Sequence, residues 1–319
     1  MNLLGIHHVT AVSAKIADNL TFYRDILGLR LVKKSVNQDD VSAYHLFYAD
    51  KLGTPGTDMT FFDWPRIGPD RRGTDSIVGT MFRVGSLEAL KFWQGRLDDL
   101  SVKRGNIIQF AGRDLMAFED GEGQRLYLVN DQGSAFEGEI WPHPEIPEDY
   151  AIRGFYSVML SVPSIPELEG ILKNVLGFIL RSKERWIDDT PVAIYSTSPS
   201  GGPGTEIWLL EESELGAAGL GAGGVHHVAF RVEDADQQTL WRERIMNAGL
   251  PVSRQIDRYW FESIYFRVSS GILFEIATDG PGFAIDEPLD SLGDKLVLPP
   301  FLEPKRDEIE AGLVPIAGG

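Results

Sequence analysis

The 319-residue chain has no cysteine. Disulfides, thiolate metal sites and cysteine nucleophiles are thereby excluded together. Any metal must be held by histidine, aspartate or glutamate. Positive charge is in deficit: 30 Lys and Arg face 47 Asp and Glu, for a formal net charge of -17. Nucleic acid and anionic membrane both demand basic patches, so neither is expected as a partner. No apolar run approaches the roughly 18–20 residues that span a bilayer. The N-terminus enters a β pattern with no basic region and no apolar signal stretch, which reads as cytoplasmic. The hydrophobic fraction of 43% is ordinary for a globular protein. The length suggests two domains with ample core.

One pattern is written four times. Gly5–Val12 reads as a strand, and "SAKIADNLTFYRDILG" follows with Ile16, Leu20, Tyr23 and Leu27 at helical spacing and Gly28 as its stop. Three strand-like runs, "LRLVKKSV", "AYHLFYAD" and "DMTFFDW", complete a βαβββ unit. The order returns from "SIVGTMFRVG", from "GFYSVMLSV" and from "GVHHVAFRV". The expected modules are 1–66, 75–131, 152–212 and 223–282, followed by a Pro-rich acidic tail at 283–319 with one short helix near "EPKRDEIEAGL". Loops rich in Pro or Gly separate them, "IWPHPEIPEDYAIRG" and "SELGAAGLGAGG" among them. The fold class is α+β. Each unit covers one sheet face with its helix, and two units joined edge to edge make a curved sheet with a concave cavity.

Histidine is scarce, yet four of the six copies stand in two pairs, "GIHHVT" and "GVHHVAF". Side chains alternate along a strand. In "VHHVAFRV", His226, Val228 and Phe230 share an apolar face suited to helix packing, and Val225, His227 and Ala229 share the other. In "IHHVTAV", His7, Val9 and Ala11 share one face, and Ile6, His8 and Thr10 share the other. Repeat equivalence matches His8 to His227, so one histidine of each pair enters the cavity. In "ILFEIAT", Glu275 lies on the cavity face between apolar neighbours, a costly place for a carboxylate without a metal or partner. His8, His227 and Glu275 make the two-histidine, one-carboxylate set of non-haem Fe(II) oxygenases. The counterpart of Glu275 in the first module is Phe61, give or take one residue. The lone His45 and His143 read as ordinary polar residues. One ion can collect the three ligands only if module 1 pairs with module 4, leaving module 2 with module 3 as a metal-free half-barrel.

These features resemble the vicinal-oxygen-chelate superfamily of glyoxalases and extradiol dioxygenases. Within it, "GIHHVT", "YHLFYADKLGTPGTDMTFFDWP", "GVHHVAFRV" and "LPPFLEP" resemble the ring-cleaving dioxygenases that act on hydroquinones. The likeness covers nearly the whole chain. It implies Fe(II) at His8, His227 and Glu275, O2 as cosubstrate, and a small aromatic substrate, hydroquinone or quinone-derived, in aromatic catabolism. It also implies roles around the ligands for His7, Thr10, His226, Arg258 and Tyr265. His7 and His226 would move protons, Arg258 would stabilise an oxyanion, and Tyr265 would reach the cavity beside them. Two rivals use the same scaffold. A glyoxalase-type isomerase or lyase typically presents four protein ligands, two per unit. A non-catalytic small-molecule binding protein needs none. A homodimer is left open.

Overall fold

In the computed structural model, residues 1–268 and 271–316 are described. Positions 269–270 of the fourth module and 317–319 of the tail lie outside the described residues. Module 1 comprises β1 (Ile6–Ser13), α1 (Ile16–Leu20), β2 (Arg30–Asn37), β3 (Asp40–Ala49) and β4 (Asp58–Asp63). Module 2 comprises β5 (Ser76–Val84), α2 (Leu87–Asp99), β6 (Arg104–Phe110), β7 (Arg113–Glu119) and β8 (Arg125–Asn130). Module 3 comprises β9 (Phe155–Val162), α3 (Ile165–Gly170), β10 (Ile179–Arg185), β11 (Pro191–Ser196) and β12 (Glu206–Glu211). Module 4 comprises β13 (Val225–Val232), α4 (Ala235–Asn247), β14 (Ile256–Asp257), β15 (Phe261–Arg267) and β16 (Leu273–Pro281). The tail carries α5 (Arg306–Gly312).

Local chemistry sets the helix ends. The Ser86 hydroxyl accepts the Ala89 N–H at the start of α2, and the Asp234 carboxylate accepts the Gln237 N–H at the start of α4. Gly28 and Gly249 close their helices at φ of 72° and 78°, where a β-carbon would be strained. The helix of module 1 widens after α1 into a π-helical turn over Thr21–Ile26.

Two eight-stranded sheets result. One runs β14-β15-β16-β13-β1-β4-β3-β2 and the other β10-β11-β12-β9-β5-β8-β7-β6. Module 1 is therefore joined to module 4, and module 2 to module 3, as the ligand set requires. The seams are the antiparallel pairs β1–β13 and β5–β9. The helix-packed faces of both sheets share one apolar core that includes Val9, Phe230 and Phe274 from the first sheet and Phe82, Phe155 and Val158 from the second. Each concave face keeps its own cluster. In the second half-barrel, Phe110, Trp186 and Trp208 fill it, with Arg113 and Glu206 paired at 2.7 Å. In the first, Phe47, Trp260, Phe261 and Phe283 cover only part of it.

Part of that cover comes from the tail. Lys33 on β2 is fully buried, and its ammonium donates to Asp286 Oδ1 at 2.6 Å and to Glu287. This clamp ties residues 283–287 over the concave face, where Phe283 packs on Phe47. A buried charge needs such pairing.

The seam departs from simple alternation. Ile6 pairs with Phe230 and His8 with Ala229, so His7 is an extra residue on β1. Thr10 pairs with His227 and Ala11 with Val225, so His226 is an extra residue on β13. Two β-bulges thus stand at equivalent places in the two modules. They correct the expected faces: Ile6 and Val225 join the helix-side core, while the His7 ring packs on Phe261 and the His226 ring on Phe62 and Trp64.

Candidate metal centre

His8 on β1, His227 on β13 and Glu275 on β16 come from three adjacent strands. The registers Thr10–His227 and Ala229–Glu275 bring them to one level of the sheet. Their side chains converge. Nε2 of His8 lies 3.3 Å from Nε2 of His227, and Glu275 Oε2 lies 3.3 Å and 2.9 Å from these two nitrogens. All three residues are buried. Among the described residues this is the one group of three or more potential ligands that closes within 4.8 Å. Ligands at right angles and about 2.1 Å from an ion stand about 3.0 Å apart, so the spacing suits three adjacent corners of an octahedron. The carboxylate gives an independent test. Its Oε2 is buried and takes no directed hydrogen bond, although both imidazole nitrogens are within contact distance. Lone pairs aimed at a shared point rather than at one another suit a divalent cation. Glu275 Oε1 accepts the Ser263 hydroxyl at 2.5 Å, which fixes the carboxylate plane.

The bulges give the second histidine of each pair a task. Nδ1 of His7 lies 2.9 Å from Nδ1 of His8, and Nε2 of His7 lies 3.1 Å from the Thr278 carbonyl. A carbonyl only accepts, so His7 carries its proton on Nε2 and takes the His8 proton on Nδ1. His8 Nε2 is then left with a lone pair facing the ligand point. His226 Nδ1 stands 2.7 Å from His227 Nδ1 in the same relation. Burial lowers both outer imidazoles, His226 to about 3, and keeps them neutral. Hydrogen bonds of this kind orient metal-ligating imidazoles. His7 and His226 therefore stand behind the ligands, not in the cavity in front of them. His226 borders a separate cleft of about 180 Å³ between the half-barrels.

The cavity in front is lined by Thr10, His45, Phe62, Arg258, Phe261 and Tyr265, among others. Arg258 donates to both Asp39 oxygens at 3.2 Å and 2.8 Å, and to the Tyr265 hydroxyl at 3.4 Å. Burial lowers the guanidinium, but Tyr265 and Asp39 outweigh it, so Arg258 stays charged. Burial and Glu275 push the Tyr265 phenol up, so it keeps its proton. Thr10 Oγ1 lies 2.8 Å from Thr60 Oγ1, and Thr60 lies 3.0 Å from His45 Nε2.

Thr60 is the true counterpart of Glu275. Thr10 pairs with Thr60 as Ala229 pairs with Glu275, one residue before Phe61 and within the expected tolerance. Sequence reasoning missed, among others, His45 in the cavity and Ser263 on the Glu275 carboxylate. Alternation in "AYHLFYA" carries the signal for the first: Tyr44, Leu46 and Tyr48 enter the helix-side core, and Phe47 and Ala49 the concave cluster. "FESIYFR" carries it for the second, since Ser263 is in phase with Tyr265.

Comparison with known proteins agrees with this architecture. The description "Glyoxalase/Bleomycin resistance protein/Dioxygenase superfamily" matches residues 5–127 and 154–279. The chain is 46% identical over 316 residues to "Putative ring-cleaving dioxygenase MhqA" of Bacillus subtilis (strain 168), covering 99% of this chain and all of that one. It is 29% identical over 309 residues to a chlorohydroquinone/hydroquinone 1,2-dioxygenase of Sphingobium indicum, covering 96% and 94% of the two chains. The solved structure titled "putative dioxygenase" from Bacillus subtilis superposes with a TM-score of 0.91 at 36% identity, over 99% of this chain and 98% of that one. Maize glyoxalase I shares the fold at 12% identity and a TM-score of 0.63, over 86% and 92% of the chains.

Proposed function

We propose, since this chain belongs to the glyoxalase/bleomycin resistance protein/dioxygenase superfamily, that it is an Fe(II)-dependent dioxygenase that opens the ring of a hydroquinone-type aromatic with O2. The observation that carries the reading is the buried convergence of His8, His227 and Glu275, three ligands that leave adjacent positions open. His8, His227 and Glu275 would hold the Fe(II), which when bound would supply redox chemistry between a substrate hydroxyl and O2.

This chain's own residues do the rest. His7 and His226 hold the protons of the ligand imidazoles on Nδ1, so that Nε2 of each faces the metal. Ser263 holds the carboxylate. Arg258 and Tyr265 offer a cation and a phenolic proton on one side of the cavity, placed for negative charge developing on substrate oxygen. Phe261 packs against the rings of His7 and His8, with centroids 5.2 Å and 5.3 Å away, and keeps water from that side. An isomerase reading asks for a fourth ligand, and Thr60 stands in its place.

The test is reconstitution. Metal-depleted protein is loaded anaerobically with Fe(II) or Zn(II), then supplied with hydroquinones in an oxygen electrode. Fe(II) should restore O2 consumption, and Zn(II) should bind without it. Full turnover of an iron-free Zn(II) form would sink the dioxygenase reading.

A further inference from the structure

His45 is the cavity residue that no ligand role absorbs. It lies on β3, two strands away from β1 across β4. Its ring is gripped between Phe47 and Phe62, with centroids 3.9 Å and 4.5 Å away, so its plane is set. Nε2 is engaged by Thr60, and Thr60 in turn by Thr10. Nδ1 has no hydrogen-bond partner among the described residues. His45 lines the cavity in front of the three converging residues. Burial holds the imidazole well below its usual pKa, so it is neutral, with one nitrogen donating and one accepting.

The polar groups of the cavity are divided. Arg258 and Tyr265 stand on the β14–β15 side with Asp39 and Gln38 bonded to Arg258, and His45 and Thr10 stand together through Thr60 on the β3 and β1 side. A flat ring held by one hydroxyl at the ligand point would find His45 Nδ1 without a partner beside the faces of Phe47 and Phe62, while Asp39 and Gln38 are engaged by Arg258 and Thr10 by Thr60. We propose that His45 Nδ1 hydrogen-bonds the ring hydroxyl remote from the metal and so selects hydroquinones over monophenols; the metal-end anchoring rests on the dioxygenase reading. The Thr60 and Thr10 hydroxyls can each turn, so the relay can present His45 Nδ1 as donor or acceptor. His45 is a specificity-determining residue in this scheme and takes no part in holding metal.

The experiment compares hydroquinone with phenol by calorimetry on the anaerobic Fe(II)-loaded protein. Wild type should bind hydroquinone about tenfold more tightly than phenol, the scale of one net hydrogen bond. His45→Phe, which keeps an aromatic ring between Phe47 and Phe62, should bring that ratio close to one while leaving phenol affinity and iron content unchanged. An unchanged ratio in His45→Phe overturns the proposal. Should that variant fail to fold, wild type still decides: hydroquinone binding no tighter than phenol overturns it as well. Oxygen uptake separates the two claims. A wild type that discriminates through His45 but never consumes O2 refutes the dioxygenase reading and leaves this assignment standing.

Discussion

Nε2 of His8 and Nε2 of His227 lie 3.3 Å apart although 219 residues separate them in the chain. The seam between β1 and β13 closes that gap, and it sets two kinds of histidine side by side. Changing His8, His227 or Glu275 to Ala should abolish iron retention, read by metal analysis after gel filtration. Changing His7 or His226 to Ala should leave iron bound but lower affinity or turnover by about 10–100-fold, the scale for groups that orient ligands. Iron lost from His7→Ala and kept by His8→Ala would invert the assignment.

The convergence of His8, His227 and Glu275 and the pairing of modules 1 and 4 were legible in the sequence for a physical reason. Repetition lets two distant strands be superposed, and one ion cannot be in two half-barrels. The orientation of His7 and His226 was not legible. It depends on bulges, which exist only relative to the partner strand, and strict alternation sends both side chains to the wrong face. His45 was readable from alternation in "AYHLFYA", but a single histidine without a repeat partner gave no reason to single it out. The clamp at Lys33 was beyond reach, because its partners lie about 250 residues away in a tail without periodicity.

That clamp should hold the cavity wall. Lys33→Met leaves the buried Glu287 and the half-buried Asp286 without their cation, at a cost of about 3–5 kcal/mol in urea unfolding. It should also free Phe283 from Phe47 and raise KM more than it lowers kcat. Replacing all three together, Lys33→Met with Asp286→Asn and Glu287→Gln, should recover most of the stability. No recovery would mean that packing of the lysine stem, not charge pairing, makes the contribution.

Acid stability offers a further check. Burial, aided by Glu122, raises the Asp63 carboxyl from 3.8 to about 6. Between about pH 4 and 6 the folded state keeps a proton that the unfolded chain has lost, so this group's stability contribution falls as pH rises. His7, His45, His226 and His227 act in the opposite sense: their folded pKa values are lowered, so stability falls as pH drops below their unfolded value near 6.5. The wild-type profile is the sum. The difference between Asp63→Asn and wild type isolates the carboxylate. With chelator present throughout, the variant should melt higher at pH 7, and the gap should close towards pH 4. Parallel melting curves across that range would show that Asp63 is not driven up by burial.

Thr60 marks where a three-ligand site differs from a four-ligand one. It pairs with Thr10 as Glu275 pairs with Ala229, so a carboxylate there would stand symmetrically across the seam. Thr60→Glu should therefore reach the metal as a fourth ligand and take a position that the dioxygenase reading keeps open. Two measurements should then move in opposite directions. Without metal, the buried glutamate is unpaired and the variant should melt below wild type. With metal, it should gain more than wild type does, because the ion now satisfies one more charge. Oxygen uptake with hydroquinone should vanish even at full iron occupancy. Thr60→Val removes the hydroxyl contact with His45 without adding a ligand, and it should keep its iron and measurable O2 uptake. Retained turnover in an iron-loaded Thr60→Glu would show either that residue 60 does not face the metal or that the open position is not needed, and the melting difference with and without metal tells these two apart.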